Sequence, residues 1–151
     1  MQPQLQRHAG LAIAGLTIRT SNHEESDPHS ARISKLWTRF FDERVYAATP
    51  HRVDDMRLYG VYSAYESDAC GAFDLTTGVA VSGGAAAVKV EAGDYLVFSG
   101  QGEMPHMVLA LWDSIWQYFE QHPDVRRSYR SDFEAYSGPD QVAIHIGVIM
   151  D

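Results

Sequence analysis

The chain repeats itself. "KLWTRFF" at Lys35 to Phe41 is echoed by "SIWQYFE" at Ser114 to Glu120, and "SAYESD" at Ser63 to Asp68 by "SDFEAY" at Ser131 to Tyr136. Around these echoes the order of elements is also the same in both halves: a strand, a helix with a tryptophan set in its apolar stripe, then two strands. A chain built this way is constrained to an α+β fold made of a duplicated β-α-β-β unit. The halves span approximately residues 9–82 and 88–150, are related by a pseudo-twofold axis, and leave a cleft where they meet. At 151 residues, one domain over 1–151 is expected, large enough to bury a sizeable core.

The elements follow from hydrophobic period. "LAIAGLTIRT" reads as the first strand and "SNHEESDPHS", Ser21 to Ser30, as a polar loop ending in Ser30 as a helix cap. Ile33, Leu36, Trp37, Phe40 and Phe41 then recur at helical steps. "RLYGVYSAY" and "GAFDLTTGVAV" read as strands, the second with a bulge at Gly78, and Glu91 to Asp94 as a turn into a strand over Tyr95 to Phe98. The second helix carries Met104, Met107, Val108, Leu111, Trp112, Ile115, Trp116 and Phe119 and stops near His122-Pro123. "VAIHIGVIM" closes the chain as a densely apolar strand, either central in the sheet or at an edge open to a homodimer.

Charge and composition exclude several function classes. Twelve Lys+Arg against twenty Asp+Glu give a formal net charge of -8, which disfavours direct nucleic acid binding and mildly favours cationic partners. The lone Cys70 cannot form an internal disulfide and fits a reducing compartment as a small core or loop residue. "LAIAGL" is too short to span a bilayer, so a soluble cytoplasmic protein with no membrane partner is expected. There is no HExxH motif, compact Cys/His spacing or glycine pattern for phosphate, "SGGAAA" at Ser82 to Ala87 included, so neither a metal nor a cofactor is expected. "RRSYR", Arg126 to Arg130, suits salt bridges at a helix-strand junction.

The chemistry that remains is aromatic and acidic. Trp37, Tyr62, Tyr65, Trp112 and Tyr136 are candidate walls of a small-molecule pocket, whereas Trp116 reads as core. If "DFEAY" is extended, Asp132, Glu134 and Tyr136 face one way and Phe133 and Ala135 the other. Glu66, next to Tyr65, approaches from the first half if the repeat holds. Spacing alone leaves these carboxylates as either solvent-facing strand residues or acids in an aromatic cleft. In a cleft they suit a cation, or one of them becomes a general acid or base. His145, in the closing strand, is a further candidate for a pocket wall.

Taken in order, "ISKLWTRFF", "YGVYSAYESD", "AGDYLVFSGQG", "LWDSIWQYF", "RRSYRSDFEAY" and "VAIHIGVI" resemble the GyrI-like superfamily of AraC-type effector-binding domains. The likeness is nearest to its stand-alone, integron-associated members and runs from Leu11 to Met150. The resemblance implies an antiparallel sheet with two main helices and a ligand cleft between the halves. It places the family's buried acid on Glu134 and its pocket rings on Trp37, Tyr65, Trp112 and Tyr136, with Tyr62 and Phe98 beside them. Implied partners are small cationic or lipophilic ligands. With about ten residues ahead of the first strand, no DNA-binding segment is expected, and a regulatory role calls for a separate protein partner. Two other branches imply alternatives: a topoisomerase-type inhibitor of a protein partner, and a small-molecule hydrolase in which Glu134, Tyr136 and Glu66 would be the catalytic residues.

Overall fold

The computed structural model describes residues 2–84 and 86–150; Ala85, within the expected Ser82–Ala87 connection, lies outside them, as do Met1 and Asp151. The described residues form strands β1 (Gln4–His8), β2 (Leu11–Ser21), β3 (Leu58–Ser63), β4 (Ala72–Val81), β5 (Val88–Val90), β6 (Gly93–Gln101), β7 (Arg126–Gly138) and β8 (Gln141–Ile149). Helices α1 (Asn22–Ser26), α2 (Ile33–Asp42), α3 (Val45–Ala48) and α4 (His106–Gln121) complete the α+β fold. All strands join one antiparallel sheet in the order β1-β6-β8-β7-β3-β4-β2-β5.

That order is palindromic about the β7-β3 pair. The first half contributes β2-α2-β3-β4 and the second β6-α4-β7-β8, each with its last strand lying between the other two. The β7-β3 pair is therefore where the pseudo-twofold axis passes. The closing strand β8 lies between β6 and β7 and is not an edge. Strand β1 was not expected from the sequence, because "QLQRH" has no apolar alternation. It is formed by backbone pairing with β6 of the other half, just as β5 pairs with β2.

Buried residues divide between the two faces of the sheet. On one face Ile13, Tyr59, Val61, Val90, Tyr95 and Phe133 form a single cluster. It joins β2 and β5 to β6 and β7, and only a curled sheet brings those strands together. On the other face Leu36 and Phe40 of α2 pack on Leu75 and Val79, and Leu111 and Ile115 of α4 on Phe98, Ile144 and Ile146. Each such side chain, fully buried, contributes about 1.5–3 kcal/mol of transfer free energy. Among the described residues no helix is long and apolar enough to cross a membrane.

Three local expectations are corrected. Ser30 does not cap α2: its hydroxyl donates to the Glu24 carbonyl, while the carboxylate of Glu25 accepts from the Arg32 and Ile33 backbone N–H groups. Part of the "polar loop" is thus the helix α1, which delivers that acid to the start of α2. Gly78 makes no bulge. It pairs in register with Gly15, and a Cβ on Gly15 would lie 1.9 Å from the Thr77 carbonyl oxygen, so the two glycines allow a close backbone approach. The irregularity lies instead in β7, whose register on β8 shifts between Arg127 and Asp132, with Tyr129 at φ 52°.

Candidate functional site

The strand "DFEAY" is extended as expected. Phe133 and Ala135 join the cluster on the helix-free face, and Asp132, Glu134 and Tyr136 point under the helices. Because β7 is the central strand on its side of the axis, Glu134 stands at the middle of the sheet, directly opposite Gly60 of β3. Helices α2 and α4 reach it from the two halves through their tryptophans.

Glu134 is 4% exposed. Its Oε2 accepts from the Tyr62 hydroxyl at 2.9 Å and from the Trp112 indole Nε1–H at 2.7 Å; its Oε1 accepts from the Tyr136 hydroxyl at 2.9 Å. Trp37 completes the enclosure by ring contact, edge-on to Tyr136 at 5.4 Å, as Tyr62 is to Trp112 at 5.3 Å. A Cβ at position 60 would lie 2.9 Å from Glu134 Oε1 and 3.3 Å from Trp37 Cζ2, so only glycine leaves the carboxylate and the indole their places. Burial raises the Glu134 pKa above its ordinary value, and the three donors, which favour the ionised form, only partly offset it. Tyr62 and Tyr136 are pushed upward by burial and by the Glu134 charge, so both remain phenols that donate.

Two residues away Asp132, 0% exposed, has a different set of partners. It accepts from Arg127 Nη2 at 2.8 Å, from the Gly147 backbone N–H at 2.8 Å and from the Tyr65 hydroxyl. Arg127 lies 4.5 Å from the Tyr129 ring and 5.6 Å from Trp116, and its Nε and Nη1 are buried without a hydrogen-bond partner. The "RRSYR" cluster thus supplies a buried salt bridge from within a strand.

The structure brings Glu134, Tyr136, Trp37, Trp112 and Tyr62 together and leaves the other candidates apart. Tyr65 serves Asp132. Glu66 lies in an exposed loop past the end of β3, its Oε1 accepting from the Ala72 backbone N–H at 3.4 Å, so it does not face Glu134. Phe98, 1% exposed, is core under α4, edge-on to Tyr118 at 5.5 Å. His145 is on the opposite face of the sheet, stacked on Phe133 at 4.2 Å; burial lowers its pKa to about 4. Trp116, expected in the core, is 37% exposed, and Cys70 is an exposed loop residue. The tryptophan echo itself shifts by one helical turn. The buried pairs are Leu36/Phe40 and Leu111/Ile115, so "LW" at Leu36-Trp37 matches "LW" at Leu111-Trp112.

Two surface concavities lie elsewhere. One of about 400 Å³ is bordered by Glu43, Val45, Thr49 and Val81, and another of about 350 Å³ by Ser99, Gln101, Ser137 and Gln141. Neither touches Glu134. Four partly exposed rings enclose the acid and leave it 4% exposed. Among the described residues no group of three His, Cys, Asp or Glu side chains is placed to hold a metal.

Residues 7–148 match the family model Cass2, integron-associated effector binding protein. An integron cassette protein from the mobile metagenome of Vibrio cholerae is similar over 98% of this chain and 96% of its own, at 34% identity and a TM-score of 0.82. Two solved structures share the fold at lower identity. One, bound to tetraphenylphosphonium, is 23% identical over 99% of this chain and 94% of its own, with a TM-score of 0.76. The other, from Staphylococcus aureus MU50, is 21% identical over 99% of both chains, with a TM-score of 0.78. No curated protein matches the chain.

Proposed function

The chain belongs to the Cass2 family of integron-associated effector binding proteins, within the GyrI-like superfamily, and from that premise we propose that it binds cationic amphiphilic small molecules between α2 and α4. The observation that carries this reading is the state of Glu134. It is a buried carboxylate whose hydrogen bonds, among the described residues, come only from neutral aromatic side chains. An acid held this way costs folding free energy that a charged partner would return. The rings around it offer π faces and apolar area to such a partner, each cation–π contact being worth roughly 0.5–2 kcal/mol when desolvated.

The fold relative bound to tetraphenylphosphonium, a lipophilic cation, supports the same chemistry. On this reading the protein is a cytoplasmic effector sensor whose output passes to a regulatory protein partner. Of the residues named for the hydrolase alternative, Glu134 and Tyr136 stand together, whereas Glu66 lies in the exposed loop.

Isothermal titration with tetraphenylphosphonium and with neutral triphenylphosphine oxide, against wild type and Glu134→Gln, tests the reading. Cation binding that collapses in the variant while the neutral compound is unaffected supports it. Equal affinities of wild type and variant for the cation overturn it.

A further inference from the structure

Among the described residues, two large aromatic side chains outside the Glu134 enclosure stand exposed on the helices that form it. Phe41 of α2 is 59% exposed and Trp116 of α4 is 37% exposed. Each lies four residues beyond a site tryptophan, one helical turn along the same face. Phe41 stacks on Trp37 with centroids 6.1 Å apart and planes at 27°; Trp116 lies against Trp112 at 6.2 Å and 36°. The near-identity of the two arrangements follows from the pseudo-twofold axis at β7-β3, which relates "LW" of α2 to "LW" of α4. Each outer ring is also backed from within. Phe40 is edge-on to Phe41 at 5.4 Å, and the Arg127 guanidinium lies 5.6 Å from Trp116.

Exposing one such ring on a helix is ordinary. Exposing two, in matched geometry on either side of one buried carboxylate, is a different matter, because the rings continue the apolar wall outward in both directions. We propose that Phe41 and Trp116 are a pair of outer subsites and that the ligand class is a cation carrying aromatic groups on two opposed sides. The charge sits by Glu134, one aromatic arm lies along Trp37 and Phe41, and the other along Trp112 and Trp116. This rests on the cation-binding reading and specifies the shape of the ligand it admits.

The two-fold arrangement makes a distinctive prediction. A cation with one aromatic arm has a choice of two matched subsites, so losing the weaker, at Phe41, costs it at most about a factor of two. A cation with two arms needs both, and losing either outer ring forfeits one aromatic contact, about fivefold in affinity.

The test is titration of benzyltrimethylammonium and dibenzyldimethylammonium against wild type, Phe41→Ala, Trp116→Ala and the double variant. The expected result is that each single variant loses about fivefold for the two-armed probe, and Phe41→Ala no more than about twofold for the one-armed probe. The double variant then weakens both. Equal losses for the two probes in Phe41→Ala, or no loss for either, overturn the proposal; Phe41 settles the matter should Trp116→Ala also loosen Arg127. Glu134→Gln in the same series separates the two ideas. If it leaves both affinities unchanged, the charge reading fails, whereas the two-arm preference is decided by the ring variants alone.

Discussion

Asp132 and Glu134 are two residues apart on one strand, face the same way and are both buried, yet their surroundings oppose each other. Asp132 has a guanidinium, a backbone N–H and a phenol; Glu134 has two phenols and an indole. The first carboxylate is neutralised by the chain's own Arg127 across the register shift in β7. The second receives hydrogen bonds and, among the described residues, no countercharge. A buried acid satisfied by charge is a structural element, because removing either member strands the other. A buried acid satisfied by neutral donors stays available to a cation from outside, and it holds stability in reserve rather than supplying it.

The largest effect expected from this contrast is Asp132→Asn, which strands the buried Arg127 guanidinium and should lower unfolding free energy by about 3–5 kcal/mol in denaturant titration. Glu134→Gln should leave stability unchanged or raise it slightly, while weakening a lipophilic cation by about 2 kcal/mol, roughly thirtyfold. If the two substitutions destabilise equally, the contrast is broken.

The pH dependence sharpens the comparison. The Glu134 pKa is raised above 4.5 by burial. Its contribution to folding stability is therefore fully present below the unfolded carboxyl pKa and is lost as pH rises through the raised folded value. Cation affinity runs the other way, increasing over that same rise as the carboxylate ionises. Melting and titration compared across this range should give curves of opposite slope, and Glu134→Gln should flatten the binding curve.

Gly60→Ala brings a methyl group within 2.9 Å of Glu134 Oε1 and should cost about 1–3 kcal/mol in stability together with cation affinity. Removing a single donor, by Tyr62→Phe or Tyr136→Phe, should cost about 1 kcal/mol and move the midpoint of cation binding to higher pH, since each phenol favours the ionised acid.

Much of this was legible beforehand because it is periodic or local. Strands β2, β3, β4, β6 and β8 and helices α2 and α4 carry their own apolar patterns, and the period of two in "DFEAY" put Glu134 and Tyr136 on one face before any fold was known. The extent of β3 was not legible. The strand expected over Arg57 to Tyr65 ends at Ser63, where Ala64 turns to φ 50°, and Glu66 is left in a loop. Trp116 failed for a related reason. An apolar stripe of eight residues is wider than the surface a helix buries, and the stripe cannot say which of its edges faces water.

By itself the sequence determined the duplication, the element types and the pairing of an acid with aromatic rings, because those follow from hydrophobic period and from side-chain chemistry within a few residues. Only the tertiary structure decided which acid stands alone. Arg127 reaches Asp132 across a bulge, Tyr62 and Trp112 reach Glu134 from separate halves, and β3 meets β7 in a register that sets Gly60 opposite the carboxylate. The donors of Glu134 are brought to it over long separations, and even the nearby Arg127 meets Asp132 only through a register shift that no apolar pattern records.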